Sequence, residues 1–285
     1  MTPHLGCLGG RYRLLEKIGL GSMAVVYRAL DELLEREVAV KVIQSAATND
    51  AELRRSDAEV KLLARLNHYA LVTLLDAGTE RSPLGTPCIY LVMELVEGPD
   101  LRNRLMTGPL THSRTVQVGH DVTQALEYIH RKGVVHRDIK PANILLFDDG
   151  ATRTRAKLTD FGIARMAESA LTLEDAVSGT PAYLSPEQVR GEPVGPESDV
   201  YSLGLVLLQC LTGELAFPGP PLESAVQRLT QAPPIPEGIG AGWRELISGM
   251  TAMDPADRPA AAAAAVSLQR MMALEVVAEV SVAAV

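Results

Sequence analysis

The chain of 285 residues has only three cysteines, Cys7, Cys88 and Cys210, set far apart without pairing or metal-binding spacing. A disulfide framework is thereby excluded, and a reducing compartment is the expected setting. Basic charge is also short. The net charge is −8, so no domain-wide positive surface exists and nucleic-acid binding is not expected. Met1–Gly10 lacks the basic start and apolar run of a signal peptide. The longest apolar stretch, Leu203–Leu211, is about half of what a membrane span needs. These absences predict a soluble, cytoplasmic chain. Charged residues at 22% and apolar residues at 47% exclude wholesale disorder and leave ample material for a core. Arginine outnumbers lysine, and Ala, Gly, Pro and Val are abundant, a bias associated with GC-rich bacterial genomes.

The first third reads as strands: Arg11–Ile18, Val25–Leu30, Glu37–Ile43, Val72–Ala77 and Ile89–Glu94. A helix is predicted over residues 50–66, with Leu62, Leu63 and Leu66 on a stripe that also takes in Glu59. This describes a small antiparallel sheet with one helix. After Glu97-Gly98-Pro99 the pattern turns helical. Val118, Val122, Ala125, Leu126 and Ile129 recur at helical spacing from Thr111 to Lys132, and Gly133 falls where a C-cap belongs. Residues 198–212 are apolar nearly all round and predict a buried helix. The run Ala260–Ala265 reads as helix. The boundary between the two regions falls near residue 96.

Chemistry-bearing motifs lie in a definite order. Gly19-Leu20-Gly21-Ser22-Met23-Ala24 joins two predicted strands, and reads either as a plain turn or as a backbone loop able to approach phosphate oxygens. The strand-turn-strand setting argues against a dinucleotide fold, in which such a loop opens a helix. Lys41 ends Val38-Ala39-Val40-Lys41 on a strand, and Glu59 lies beside the apolar stripe of the following helix. A lysine and a carboxylate that both point inward can pair. The sharpest signal is His136-Arg137-Asp138-Ile139-Lys140-Pro141-Ala142-Asn143. Predicted strands Ile144–Phe147 and Lys157–Thr159 then form a hairpin leading to Asp160-Phe161-Gly162. A hairpin brings its open ends together, so Asn143 and Asp160 should meet where two oxygen ligands could share Mg²⁺, with Asp138 beside them as a possible base. Turn residues and caps are the competing explanation, but they do not account for all the motifs in this order.

With these motifs the chain resembles a eukaryotic-type (Hanks-type) Ser/Thr protein kinase of the bacterial receptor kind, from about Arg11 to Leu274. The resemblance implies an α+β, two-lobe fold: an N-lobe over 11–96 with a small antiparallel sheet and one helix, and a larger, mostly helical C-lobe over 97–274. Residues 1–10 and 275–285 would be tails. It implies that Gly19, Leu20 and Gly21 cover the ATP phosphates, with Ala24 where the family has its third glycine. Val26 and Ala39 would hold the adenine on one side and Leu145 on the other. Met93 would be the gatekeeper, and Glu94 and Val96 would offer backbone groups to adenine. Lys41 would contact the α/β-phosphates and pair with Glu59. Asp138 would orient the substrate hydroxyl or accept its proton, Lys140 would stabilise the transferring phosphoryl group, and Asn143 and Asp160 would hold Mg²⁺ or Mn²⁺. Lys140, together with Thr180 in Gly179-Thr180-Pro181-Ala182-Tyr183, implies serine/threonine specificity.

The same resemblance implies a structural frame. Glu187 of Ser185-Pro186-Glu187 should pair with Arg258, and Asp199 should anchor the catalytic loop; as a residue starting a helix, Asp199 equally reads as a plain N-cap. Leu63, Leu74, His136 and Phe161 match stacked residues that link the lobes. Arg137 and Arg165 could bind an activating phosphate carried by Thr172, with Ser169 and Ser178 as further candidates; Glu174 and Asp175 already place carboxylates near Thr172. Asp100 would contact the ATP ribose or a basic peptide residue, or be simply solvated. Arg11, Leu34 and Asp76 match the positions of a back-to-back dimer. Protein substrates with Ser or Thr are implied. The alternative is a nucleotide-binding scaffold of the same fold, a pseudokinase, although Lys41, Asp138 and Asp160, which such proteins usually lack in part, are all present.

Overall fold

The computed structural model describes residues 6–21, 24–44, 64–81, 87–148, 154–160 and 181–283. The chain divides into two compact units, Met1–Glu97 and Gly98–Val285. The expected helix over 50–66 lies almost wholly outside the described residues.

The smaller unit is one six-stranded antiparallel sheet. Its strands are β1 (Cys7–Leu8), β2 (Tyr12–Leu20), β3 (Ala24–Asp31), β4 (Arg36–Gln44), β5 (Leu74–Arg81) and β6 (Pro87–Glu94), in the order β1-β2-β3-β4-β6-β5. Strand side chains alternate between faces. Ala29, Val38, Val40, Tyr90 and Val92 therefore share one face, where they cluster with Tyr12. The other face takes Val26, Ala39, Lys41, Leu91 and Met93, since Lys41 pairs with Val26 and Leu91, and Ala39 pairs with Met93.

Two expectations need correction here. Residues 1–10 are not simply a tail, because Cys7–Leu8 pair with Tyr12–Arg13. Gly9 and Gly10, at φ +57° and +63°, turn the chain back on itself, a conformation glycine adopts without steric cost. Strand β5 starts at Leu74 rather than Val72, and a register shift between Leu74 and Asp76 interrupts its ladder with β6. A bulge of this kind blurs the alternation that marks a strand in sequence.

The larger unit is mainly helical: α1 (Leu101–Leu105), α2 (His112–Arg131), α3 (Pro186–Arg190), α4 (Pro196–Thr212), α5 (Pro221–Thr230), α6 (Ala241–Met250) and α7 (Ala261–Ala283), with one hairpin of β7 (Ile144–Asp148) and β8 (Thr154–Leu158). Thr111 caps α2 by accepting from the Arg114 amide, and Gly133 at φ +73° follows its end. Residues 200–208 of α4 are all buried, as an apolar run without a polar face requires. Helices pack closely at Gly119 of α2, where a Cβ would stand 3.0 Å from Leu207 of α4 and 3.2 Å from Leu268 of α7. In the alanine run, Ala261, Ala264 and Ala265 are buried. Helix α7 continues to Ala283, past the expected boundary at 274, because nothing between Leu274 and Ala283 is a glycine or proline that would stop it.

Among the described residues no helix is long and apolar enough to cross a membrane. Cys88 and Cys210 are buried, and burial pushes their thiols up, Cys210 to about 12. Such thiols are packing groups rather than nucleophiles.

Candidate active site

In the smaller unit, β2 and β3 close a hairpin over the glycine-rich segment. The Gly21 amide donates to Ala24 O at 2.9 Å. Gly19 pairs with Val26, and a Cβ on Gly19 would lie 3.3 Å from Val26 Cβ. The glycine there serves close strand approach whatever it covers. Leu20 at the strand end is 74% exposed. Lys41 lies on the sheet face shared with Val26, Ala39 and Met93, opposite the buried cluster. Its expected partner Glu59 lies outside the described residues. The Glu94 amide donates to Thr73 O at 3.0 Å, and Glu94 Oε1 accepts from the Thr73 amide at 2.8 Å. The Glu94 amide is thereby engaged within the sheet unit. Val96 follows β6 and is half-buried.

The larger unit builds a dense polar cluster. Gly98 enters it at φ +153°, where a Cβ would sit 1.9 Å from Leu146 O. The chain there runs against β7: Leu146 N donates to Pro99 O at 2.9 Å, and Asp100 bridges to Leu145. Asp100 is a cap. Its carboxylate accepts from the Asn103 amide at 2.7 Å and so starts α1.

His136 is fully buried, and both ring nitrogens are used. Nε2 donates to Thr159 O at 3.0 Å, while Nδ1 accepts from the Asp138 amide at 3.3 Å. Arg137, with φ +67°, is one of three described non-glycine residues in the left-handed region. Asp160, at φ +58°, is another. Such conformations cost about 1–3 kcal/mol each and persist only where neighbours enforce them. Asp199 enforces the first. Its Oδ1 accepts from the Arg137 amide at 2.7 Å, and its Oδ2 accepts from the His136 amide and from His130 Nε2, each at 2.8 Å. Asp199 stands in the first turn of α4 rather than at its N-cap, which is Gly195. The plain N-cap explanation therefore falls, and the carboxylate ties α4 to the loop before Asp138.

Asp138 faces its motif partners. Lys140 Nζ lies 2.8 Å from Asp138 Oδ2, and Asn143 Nδ2 donates to both Asp138 O, at 2.8 Å, and Asp138 Oδ2, at 3.0 Å. The hairpin does bring its ends together, since Ile144 pairs with Leu158 and the Thr159 amide donates to Asn143 O at 2.9 Å. Asn143 and Asp160 thus flank one backbone bond. With the Asn143 amide nitrogen committed to Asp138, its Oδ1 is the atom left to offer. One amide oxygen and one carboxylate form a hard-donor set that suits a divalent cation completing its shell with phosphate oxygens and water. Among the described residues no group of three or more His, Cys, Asp or Glu could hold a metal without such help.

Glu187 and Arg258 meet as a buried bidentate pair, at 2.7 and 3.0 Å. Ser198 Oγ also donates to Glu187, and Arg258 spends its remaining donors on Ala252 O, Glu197 O and Met253 O. Burial pushes the Glu187 carboxyl up, but the hydrogen bonds from Arg258 and Ser198 outweigh it and leave its pKa at about 2. Arg228 of α5 is likewise buried, and donates to Ala182 O at 3.0 Å.

Glu59, Phe161, Arg165, Ser169, Thr172, Glu174, Asp175, Ser178, Thr180 and Leu63 lie outside the described residues. Leu74 and His136 occupy the sheet and the loop described above. Two residues that the sequence reading passed over belong to the cluster. His130 sits in the last turn of α2, and nothing in sequence links it to Asp199. Gln188 could have been noticed, because Ser185-x-x-Gln188 has capping-box spacing.

The protein kinase domain family matches residues 12–268. The chain belongs to that family, and its antiparallel sheet unit and helical unit are those of the protein kinase fold. It is 42% identical to serine/threonine-protein kinase PknB of Mycobacterium tuberculosis over 261 residues, 88% of this chain and 41% of that protein. It is also 42% identical to PknL of the same species over 266 residues, 90% of this chain and 64% of that protein. The chain thus spans about two fifths to two thirds of the length of these relatives. A crystal structure of Rad53 in complex with AMP-PNP matches with a TM-score of 0.72 at 28% identity, covering 90% of this chain and 64% of that one.

Proposed function

We propose that the chain is an active Ser/Thr protein kinase that moves the γ-phosphate of ATP to serine and threonine hydroxyls of proteins. The observation that carries this reading is the clustering of Asp138, Lys140 and Asn143, joined to Asp160 through the Thr159–Asn143 backbone bond, in a chain whose relatives are named serine/threonine-protein kinases.

In this reading Asp138 orients the substrate hydroxyl and accepts its proton as the oxygen attacks the γ-phosphorus. The bond from that phosphorus to the β–γ bridging oxygen breaks, and ADP leaves. Lys140 steadies the transferring phosphoryl group. Lys41 binds the α/β-phosphates in partnership with Glu59. Gly19, Leu20 and Gly21 cover the phosphates. Val26, Ala39, Met93 and Leu145 supply apolar contact to adenine, and Glu94 and Val96 offer backbone groups. Asn143 and Asp160 would hold Mg²⁺ or Mn²⁺, which would supply neutralisation of phosphate charge. Positioning and electrostatics then account for most of the rate. Thr180 ties the substrate-binding loop to Asp138 and Lys140, and Thr172, with Ser169 and Ser178, takes activating phosphate from the kinase itself. The reaction belongs in the cytoplasm, where ATP and free thiols are found together.

Self-association through Arg11, Leu34 and Asp76 is part of the proposal. Leu34 is 54% exposed, which suits an apolar contact. Arg11 is already bound bidentately to buried Asp31, and Asp76 accepts from Tyr12, so both would act from fixed positions. A strictly monomeric mass at high concentration, unaffected by Asp76→Ala, removes the dimer.

The test of the activity is transfer of labelled phosphate from MgATP to a generic Ser/Thr protein substrate. Asp160→Asn is expected to lose more than about a hundredfold in rate. Retention above that level contradicts its role as the main metal ligand.

A further inference from the structure

Arg137 is held at its carbonyl as well as at its amide. Gln188, at the middle of α3 and 4% exposed, donates Nε2–H to Arg137 O at 2.8 Å. Its Oε1 accepts from the Ser185 amide at 2.9 Å, and the Gln188 amide donates to Ser185 Oγ at 3.3 Å. One side chain therefore completes the cap of α3 and reaches a residue far away in sequence. The residue it reaches has a positive φ and immediately precedes Asp138. With Asp199 on the amide, both backbone polar groups of Arg137 end on buried side chains from two different helices.

We infer that Gln188 is a positioning residue for phosphoryl transfer: with Asp199 it clamps Arg137 in its left-handed conformation and so sets the aim of the Asp138 carboxylate. A buried amide that only capped α3 would need its oxygen alone. The donor half of the side chain is what touches the loop, and it is the half a glutamate would lack when ionised. Because α3 follows directly on Pro181–Tyr183, Gln188 links that stretch of chain to the loop bearing Asp138. The inference rests on the kinase reading above, so its test includes one readout that needs no turnover.

Three variants separate the roles. Gln188→Leu removes both halves. Gln188→Glu keeps the acceptor of the capping box and makes the contact to Arg137 O conditional on a proton. The protonated acid can donate its O–H; the carboxylate cannot, and opposes the carbonyl. Ser185→Ala weakens the cap and leaves the clamp. For Gln188→Leu, kcat is expected to fall about tenfold, as loss of one buried hydrogen bond at an aimed group allows, with KM for MgATP nearly unchanged. For Gln188→Glu, the rate relative to wild type should fall as pH rises through the new carboxyl's pKa. His130, His136, Arg137, Asp138, Asp199, Glu187 and Arg258, the ionisable groups around the clamp, are common to both proteins and cancel in that ratio. Ser185→Ala should lower the melting temperature and keep kcat.

Amide hydrogen exchange at Arg137 and Asp138 should quicken in Gln188→Leu and stay unchanged in Ser185→Ala, whether or not the protein turns over. Unchanged exchange in Gln188→Leu, or equal loss of kcat in Ser185→Ala and Gln188→Leu, or a flat pH ratio for Gln188→Glu, overturns the inference. Inactive wild-type protein with quickened exchange in Gln188→Leu leaves the clamp standing and removes the kinase reading.

Discussion

The amide of Arg137 donates to Asp199 Oδ1 at 2.7 Å, across 62 residues of sequence. That bond joins the largely buried helix α4 to the loop carrying Asp138, and it holds a non-glycine residue at φ +67°. One carboxylate satisfies two backbone amides and the His130 imidazole. An amide side chain has one acceptor oxygen and cannot do the same. Asp199→Asn is therefore expected to cost about tenfold or more in kcat with the fold retained, checked by steady-state kinetics beside circular dichroism. A variant with the wild-type rate would show that the loop is held by something else.

The Glu187–Arg258 pair makes a pH prediction. The folded pKa of Glu187 is about 2, below its ordinary 4.5. Folding thus favours the ionised form, and the stability gained is fully present above about pH 5 and is lost as pH falls towards 2. The shift corresponds to about 3 kcal/mol. Glu187→Gln is expected to be less stable than wild type by about 3 kcal/mol at pH 7, and the gap should close as pH falls towards 2, read by acid unfolding followed by fluorescence. A gap that stays constant with pH would place the acid sensitivity elsewhere.

Much of this frame was readable from residues alone. The strand segments along the chain, the length of α2 from its Thr111 cap to Gly133, and the hairpin joining Asn143 to Asp160 follow from periodicity and turn chemistry, which are local. The strand at Cys7–Leu8 was not readable, since two residues carry no period. The start of β5 was blurred by its bulge. What Asp199 touches could not be decided by local pattern either: a carboxylate in the first turn of a helix is favourable through the helix dipole wherever its oxygens point, and only the tertiary fold shows them meeting Arg137 and His136. His130 and Gln188 were missed for the same reason, their partners being distant in sequence.

Gly98 supplies a steric prediction. A Cβ there would stand 1.9 Å from a backbone oxygen of β7, and φ is +153°. Neither the carbonyl nor the backbone conformation can yield cheaply. Gly98→Ala is expected to destabilise by about 2 kcal/mol or more, read as a melting temperature lower by roughly 6 °C. A neutral outcome would mean that the chain between Glu97 and Pro99 adopts a different path.

Tyr201 predicts the opposite sign. Its ring lies under the Arg258 guanidinium, 4.8 Å away, while among the described residues its buried hydroxyl has no hydrogen-bond partner. Burial pushes its pKa up to about 12. Removing an unsatisfied buried hydroxyl and keeping the ring costs little. Tyr201→Phe should leave the melting temperature unchanged or raise it. A loss above about 1 kcal/mol would reveal a partner for the hydroxyl.

The central claim is that Asp138, set by this frame, serves phosphoryl transfer to Ser and Thr hydroxyls. Mass spectrometry of the purified protein after incubation with MgATP, beside an Asp138→Asn control, tests it most directly. The expected result is new phosphate on Thr172 or on Ser169 and Ser178 in the wild type and none in the control. Phosphate in neither protein, with no transfer to an added Ser/Thr substrate, or equal phosphate in both, would contradict it.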